Sequence, residues 1–203
     1  MYECTARGKL RLLNIKHTNP ISVGDYVKFI KSQEKFKGEI TKIFHRKNYI
    51  IRRSVNLSKE THVLASNLDQ AILVITLKRP KTYFEFIDRF LITANAYQIP
   101  TLIVFSKSDT YLKDELEEIE MIRKIYTNLN INCLLISCYK KKDISKILGL
   151  IKNKTTLFSG NSGVGKSTLI NFLNPKLNLK TQSVSKSTNK GQHTTTFAQM
   201  YDI

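Results

Sequence analysis

Cysteine is scarce and unpaired in this sequence. Cys4, Cys133 and Cys138 form no Cys-x-x-Cys pair and no even set. That excludes a disulfide framework and a cysteine-based metal site, and it suits a reducing compartment. No apolar run approaches the roughly 18 residues that span a bilayer. No cationic, apolar leader opens the chain, so no secretory signal is expected. Repeats and low-complexity segments are also absent. The expected location is the cytoplasm, with no membrane partner. Acidic residues are in short supply: 16 stand against 33 lysines and arginines, for a net charge of +17.

The deficit is uneven. Residues 1–60 hold 14 basic and 5 acidic groups, residues 61–150 hold 12 and 10, and residues 151–203 hold 7 and 1. Two basic ends around a balanced middle imply a polyanionic partner, nucleic acid first and a membrane surface second. A lysine-rich composition with no partner behind it is the competing reading. Otherwise the chain is 41% hydrophobic and 24% charged, an ordinary globular composition.

Two textures divide the 203 residues. In residues 1–60, "KLRLLNI", "DYVKFI", "GEITKIF" and "NYIIRR" read as short strands separated by turns. "YECTARG" reads as part of a further strand at the start. The expectation is a small β-barrel of the OB type, incomplete at its start. The polar stretch "SVNLSKETHVLASN" is expected to be the linker. From residue 68 onward, "QAILVITL" and "TLIVFS" are continuous apolar runs, as parallel strands buried on both faces require. Helical periodicity alternates with further strands through "CLLIS", "DISKILGLI", "TTLFS" and "KSTLINFL". This alternation predicts an α/β domain over residues 68–203 with a mostly parallel sheet.

"GNSGVGKS" follows a strand and opens a helix, the context that makes a phosphate-binding loop. Gly160, Asn161, Ser162, Gly163, Val164 and Gly165 form its turn. The glycines let backbone N–H groups face phosphate oxygens, aided by the helix N-terminus. Lys166 is expected to reach the β- and γ-phosphates, Ser167 to coordinate Mg²⁺, and Thr168 to complete the loop.

Upstream, "SKSD" supplies Ser106, Lys107 and Asp109. Asp109 can accept from guanine N1–H and the 2-amino group, which adenine lacks, while the Lys107 stem packs along the base. Asn ordinarily stands where Ser106 does, and a hydroxyl replaces only part of what a carboxamide bridges. Ser137 and Cys138 end the next strand, where a backbone N–H is expected to meet guanine O6. The base-reading loop thus precedes the phosphate loop, the reverse of the usual order. A circular permutation explains this, because chain termini commonly lie close together.

These motifs, with "RGKLR", "SVGDYV", "RKNYIIRRS", "ASNLDQAILVI", "IDRFL" and "KGQHTTT", resemble the RsgA (YjeQ) family of circularly permuted GTPases. The resemblance spans nearly the whole chain. It implies an N-terminal OB-fold joined to a permuted P-loop GTPase domain. It further implies GTP hydrolysis to GDP and phosphate, and action on the small ribosomal subunit and its 16S rRNA by a monomer. It makes His193 the switch histidine that helps hydrolysis. Thr195 becomes the switch threonine on Mg²⁺, with Thr194 and Thr196 beside it. The family's Asp-x-x-Gly motif is not found; Asp202 lies too near Thr195 and is expected in the ribbon between the two motifs. Zinc is expected only in the family's C-terminal extension, which this sequence lacks. On that ground a guanine-nucleotide-binding protein without hydrolysis stays open as an alternative. So does an RNA-binding module with a vestigial nucleotide site.

For RNA, Arg46, Lys47, Arg52 and Arg53 flank the strand "NYII". Tyr49 offers either a stacking face or a core side chain.

Overall fold

The computed structural model describes residues 1–8, 20–53, 61–181 and 198–203. The chain divides into two compact units. The first runs from Met1 to Leu68 and takes in Ala198–Met200, and the second begins at Asp69.

In the first unit, β1 (Glu3–Ala6), β2 (Val27–Lys31) and β3 (Lys37–Ile43) form one sheet in the order β1-β3-β2. β1 runs parallel to β3, and β2 runs antiparallel with a bulge at Lys28/Phe29. β4 (Tyr49–Arg53) and β5 (Thr61–Ser66) pair antiparallel in a second sheet. β5 corrects the expected linker. Val63 and Ala65 alternate inward and are buried in "THVLAS", so two small apolar residues suffice to seat a strand that looks polar. The five described strands lie in two sheets, and no closed barrel is formed among the described residues. "KLRLLNI", expected as a strand, lies outside them.

A charged node fastens this unit. Arg46 donates from Nε and Nη2 to the two Asp25 carboxylate oxygens, both at 2.7 Å, and from Nη2 to the Pro20 carbonyl. The Ser66 hydroxyl and Ser22 N–H also donate to Asp25, at 2.6 and 2.8 Å. Burial pushes the Asp25 carboxyl up, but these hydrogen bonds outweigh it and hold the group below the usual value. Gly24 threads the node at φ 90°, and a Cβ there would lie 2.2 Å from the Ser66 carbonyl oxygen. Only glycine fits.

The second unit alternates strand and helix: β6 (Gln70–Ile75), α1 (Phe84–Ala96), β7 (Thr101–Phe105), α2 (Lys113–Asn128), β8 (Asn132–Leu135), α3 (Lys141–Ile151), β9 (Thr156–Ser159) and α4 (Lys166–Leu173). All four strands are parallel in the order β8-β7-β6-β9. β6 shows why its sequence is apolar throughout. Ile72 and Val74 join Ile144, Ile147, Leu169 and Leu173 on the face covered by α3 and α4. Leu73 and Ile75 join Ile87, Ile119 and Ile122 on the face covered by α1 and α2. Burying each such side chain contributes about 1.5–3 kcal/mol. Asp202, expected in a ribbon, belongs to no strand among the described residues; its carbonyl accepts from the Asn174 side chain at 2.9 Å.

Candidate nucleotide site

The phosphate loop connects β9 to α4, and its shape is enforced by the neighbouring strand. Gly160 sits at φ 146°, and a Cβ there would stand 2.1 Å from the carbonyl oxygen of Val74 in β6. Val164 is fully buried and anchors the middle of the loop. Gly165 caps α4, so Lys166, Ser167 and Thr168 form the helix's first turn.

Lys166 shows what the loop is built to hold. Its ammonium donates to the carbonyls of Gly160 and Asn161 at 2.8 and 2.6 Å. Burial pushes its pKa down to about 8. Among the described residues no carboxylate pairs with this buried ammonium, which rests on neutral carbonyls, and an anionic phosphate supplies the counter-charge. Among the described residues, no three His, Cys, Asp or Glu side chains gather to hold a metal. The Ser167 hydroxyl, in the first turn of α4, is the group here that could hold a cation beside bound phosphate. That fits Mg²⁺, which keeps waters and phosphate oxygens in its shell.

The base-reading elements lie at the same end of the sheet, after β7 and β8, as expected for ligands of parallel α/β sheets. Ser106 is 1% exposed, and its Oγ lies 2.5 Å from the Val164 carbonyl and 3.1 Å from that of Ile75. With one proton it donates to one of them at a time, and the Val164 bond is the shorter. This hydroxyl joins the base-reading loop directly to the phosphate loop. A Cβ placed on Gly165 would likewise find the Lys107 Cε and Ser106 Oγ at 3.9 Å.

Asp109 accepts from the Ser137 hydroxyl at 2.5 Å, and that hydroxyl accepts from the Tyr139 N–H at 3.2 Å. The carboxylate is thereby aimed from the β8 loop. The Ser137 N–H is taken by the Asp143 carboxylate at 2.9 Å and is not open to a base oxygen. Burial, foremost, pushes the Cys138 thiol up to about 11, so it stays neutral.

A supporting network escapes sequence reading. Lys107 adopts a left-handed conformation, φ 61°, and its ammonium donates to the Arg79 carbonyl at 2.8 Å. Burial holds its pKa below the usual lysine value. Arg79 in turn donates from Nη2 to the Thr110 carbonyl at 2.8 Å and to Glu115 at 3.1 Å. Glu115 also accepts the Leu112 N–H at 2.9 Å, the main cause of its lowered pKa. The turn carrying Arg79 is closed by the Thr76 hydroxyl donating to the Pro80 carbonyl at 2.5 Å. Arg79 lies 30 residues before Asp109 in "KRPK", and the only signal was a proline turn after a strand.

The structure thus brings together Ser106, Lys107, Asp109, Ser137, Cys138 and the loop from Gly160 to Thr168. His193, Thr194, Thr195 and Thr196 lie outside the described residues. Among the RNA candidates, the Arg46 guanidinium is engaged by Asp25 and also lies 5.9 Å from the Tyr49 ring centre. The expected phosphate contact at Arg46 therefore has an internal carboxylate partner, and Tyr49 is half-buried beside it. Lys47 is exposed, and its N–H donates to Asn67. Arg52 and Arg53 have described backbones in β4, but their side chains lie outside the described residues.

Fold and site define a P-loop nucleotide-binding domain whose base-reading loop precedes its phosphate loop. The "RsgA GTPase" family model matches residues 43–203. The chain is 50% identical to the small ribosomal subunit biogenesis GTPase RsgA of Flavobacterium psychrophilum, covering 99% of this chain and 62% of that protein. It is 48% identical to the RsgA of Bacteroides fragilis, covering 100% and 65%. Among solved structures, YjeQ from Thermotoga maritima matches with TM-score 0.65 and 35% identity over 93% of this chain and 63% of its own. YloQ, a circularly permuted GTPase, matches with TM-score 0.59 and 30% identity over 86% and 56%. This chain belongs to the RsgA GTPase family. It spans a little under two thirds of the length of these curated relatives.

Proposed function

We propose that this protein binds GTP and GDP, hydrolyses GTP to GDP and phosphate, and acts in late maturation of the small ribosomal subunit. The observation that most supports this reading is the hydroxyl strut from Ser106 to Val164. It ties the loop carrying Asp109 to the phosphate loop, as a site for one nucleotide would need. Asp109 accepts from the two guanine donors, and the Lys107 stem packs against the base. Lys166 neutralises the β- and γ-phosphates. Ser167, with Thr195, would hold Mg²⁺. Such an ion would supply positive charge that offsets the charge developing on the phosphate oxygens. His193 acts on the attacking water.

The names of the relatives support the ribosomal partner. On this reading residues 1–60 form an OB-type RNA-binding domain that meets 16S rRNA through Lys47, Arg52 and Arg53. Residues 68–203 form the GTPase domain. The protein works as a cytoplasmic monomer. Single-turnover cleavage of labelled GTP tests the proposal, with and without Mg²⁺ and purified small subunits. Mg²⁺-dependent cleavage accelerated by the subunits is expected. Absence of cleavage under all four conditions overturns it.

A further inference from the structure

The balanced charge of the chain's middle hides a segregation. From Asp109 to Glu120 the sequence carries six acidic residues and one lysine. From Met121 to Tyr201 it carries one acidic residue, Asp143, against thirteen lysines and arginines. The structure concentrates this contrast on helices. α2 exposes Asp114, Glu117, Glu118 and Glu120, while α3 and its flanks expose Lys140, Lys141, Lys142, Lys146, Lys152 and Lys154. No ion pair engages any of these six lysines among the described residues. The lone carboxylate, Asp143, is spent on the Ser137 N–H. A composition bias alone would enrich lysine without removing the acids beside it.

Folding does not explain the placement either. Lys141 and Lys142 occupy the first turn of α3, where the helix dipole disfavours cations. Lys142 and Lys146 stand four residues apart, a like-charge pair that destabilises a helix. The isoleucines of α3, Ile144, Ile147 and Ile151, face the core. Between the lysines the exposed surface is Ser145 and Gly149, with Leu148 at 37%. That surface offers little apolar bulk for a lipid interface. At the head of the helix, Tyr139 is 73% exposed and meets the 41% exposed Phe172 edge to face at 5.6 Å. Unpaired cations next to an open aromatic ring suit an RNA strand, whose phosphates take the lysines and whose unstacked base takes the ring.

We infer that the exposed face of α3, headed by Tyr139, is an RNA-docking surface on the nucleotide-binding unit. It rests on the proposed function only for the identity of the RNA as ribosomal. The test uses the full chain and a fluorescein-labelled RNA hairpin of about 20 nucleotides with an open loop, titrated across a salt series. Lys141, Lys142, Lys146 and Lys152 are replaced together by Gln. The log–log salt slope is expected to flatten by about two to three units, and hairpin affinity to fall at least tenfold at about 0.1 M salt. Tyr139→Ala should weaken binding with its slope unchanged. Labelled GDP binding reports that each variant is folded, and a Lys113/Lys124→Gln pair on α2 should leave the hairpin slope unchanged. A wild-type slope in the quadruple variant overturns the inference. So does loss of binding to phosphatidylserine vesicles without loss of hairpin binding. Co-sedimentation with small subunits is scored separately. If wild type binds the hairpin through α3 but no subunits, the ribosomal reading fails and the surface stands.

Discussion

The two halves of the nucleotide site are built by different means. The phosphate half is mostly backbone: a glycine turn, a helix N-terminus and one lysine, contiguous over nine residues. The base half is mostly side chain, assembled from three separate loops: Arg79 after β6, Ser106 to Asp109 after β7, and Ser137, Cys138 and the Asp143 carboxylate around the β8–α3 junction. The difference lies in what each half can lose. A backbone cradle depends on a few residues that admit no substitute, such as Gly160 against the Val74 carbonyl. A side-chain network spreads its energy, so Ser can stand where Asn is usual as long as one bond to the phosphate loop persists.

Substitutions that strike one half sharpen the contrast. The largest effect is expected for Lys166→Ala. It removes the cation that meets the phosphates, which costs about 3–5 kcal/mol by the measure of a broken buried pair. Triphosphate affinity should drop by about two to four orders of magnitude, and displacement of labelled GDP by inorganic pyrophosphate should drop with it. Unchanged pyrophosphate competition would break the division into halves.

Next comes pH. In the free protein Lys166 is charged below about pH 8 and increasingly neutral above it. A bound phosphate restores the charge, so binding above pH 8 takes up a proton. Affinity then falls as pH rises, by up to about tenfold per unit. The sign for stability is opposite. An unfolded lysine titrates near 10.4, so between 8 and that value the unfolded state holds more protons and the ligand-free fold gains stability with pH. Calorimetry at pH 8.5 in two buffers of different ionisation enthalpy measures the proton uptake.

Smaller effects fall on the base half. Ser106→Ala removes the strut to the Val164 carbonyl, at a cost of about 1 kcal/mol, or roughly fivefold in GDP affinity. Arg79→Ala frees the Thr110 carbonyl and Glu115 from the guanidinium, while the backbone carbonyl that holds Lys107 remains. Because the Arg79 side chain is 53% exposed, solvent screening limits the loss to about twofold to fivefold. Both should leave pyrophosphate competition nearly unchanged. An equal loss for GDP and pyrophosphate would mean that the two halves act as one rigid body.

The same contrast explains what the sequence made legible. The four parallel strands and their helices were readable because burial on both faces of β6 and β7 forces unbroken apolar runs. The phosphate loop was readable because its geometry demands fixed residue types at fixed spacing. β5 was missed because its inward residues are only Val63 and Ala65, and Ser66 serves the Asp25 node. Arg46 looked like an open cation because its partner lies 21 residues away and nothing local announces the ion pair. Arg79 was invisible for the same reason: it acts through its carbonyl and a guanidinium bridge, neither of which has a spacing rule.

The central claim is that loops placed in reversed order along the chain close on one guanine nucleotide. Displacement of labelled GDP by GDP, ADP and pyrophosphate, from wild type and from Asp109→Asn, tests it most directly. Wild type should prefer GDP over ADP by at least about tenfold, since Asp109 meets two donors that adenine lacks and each good hydrogen bond to a charged group contributes about 1.5–3 kcal/mol. Asp109→Asn should lose that preference while pyrophosphate still competes as before. Equal displacement of labelled GDP by ADP and GDP from the wild-type protein would contradict the account.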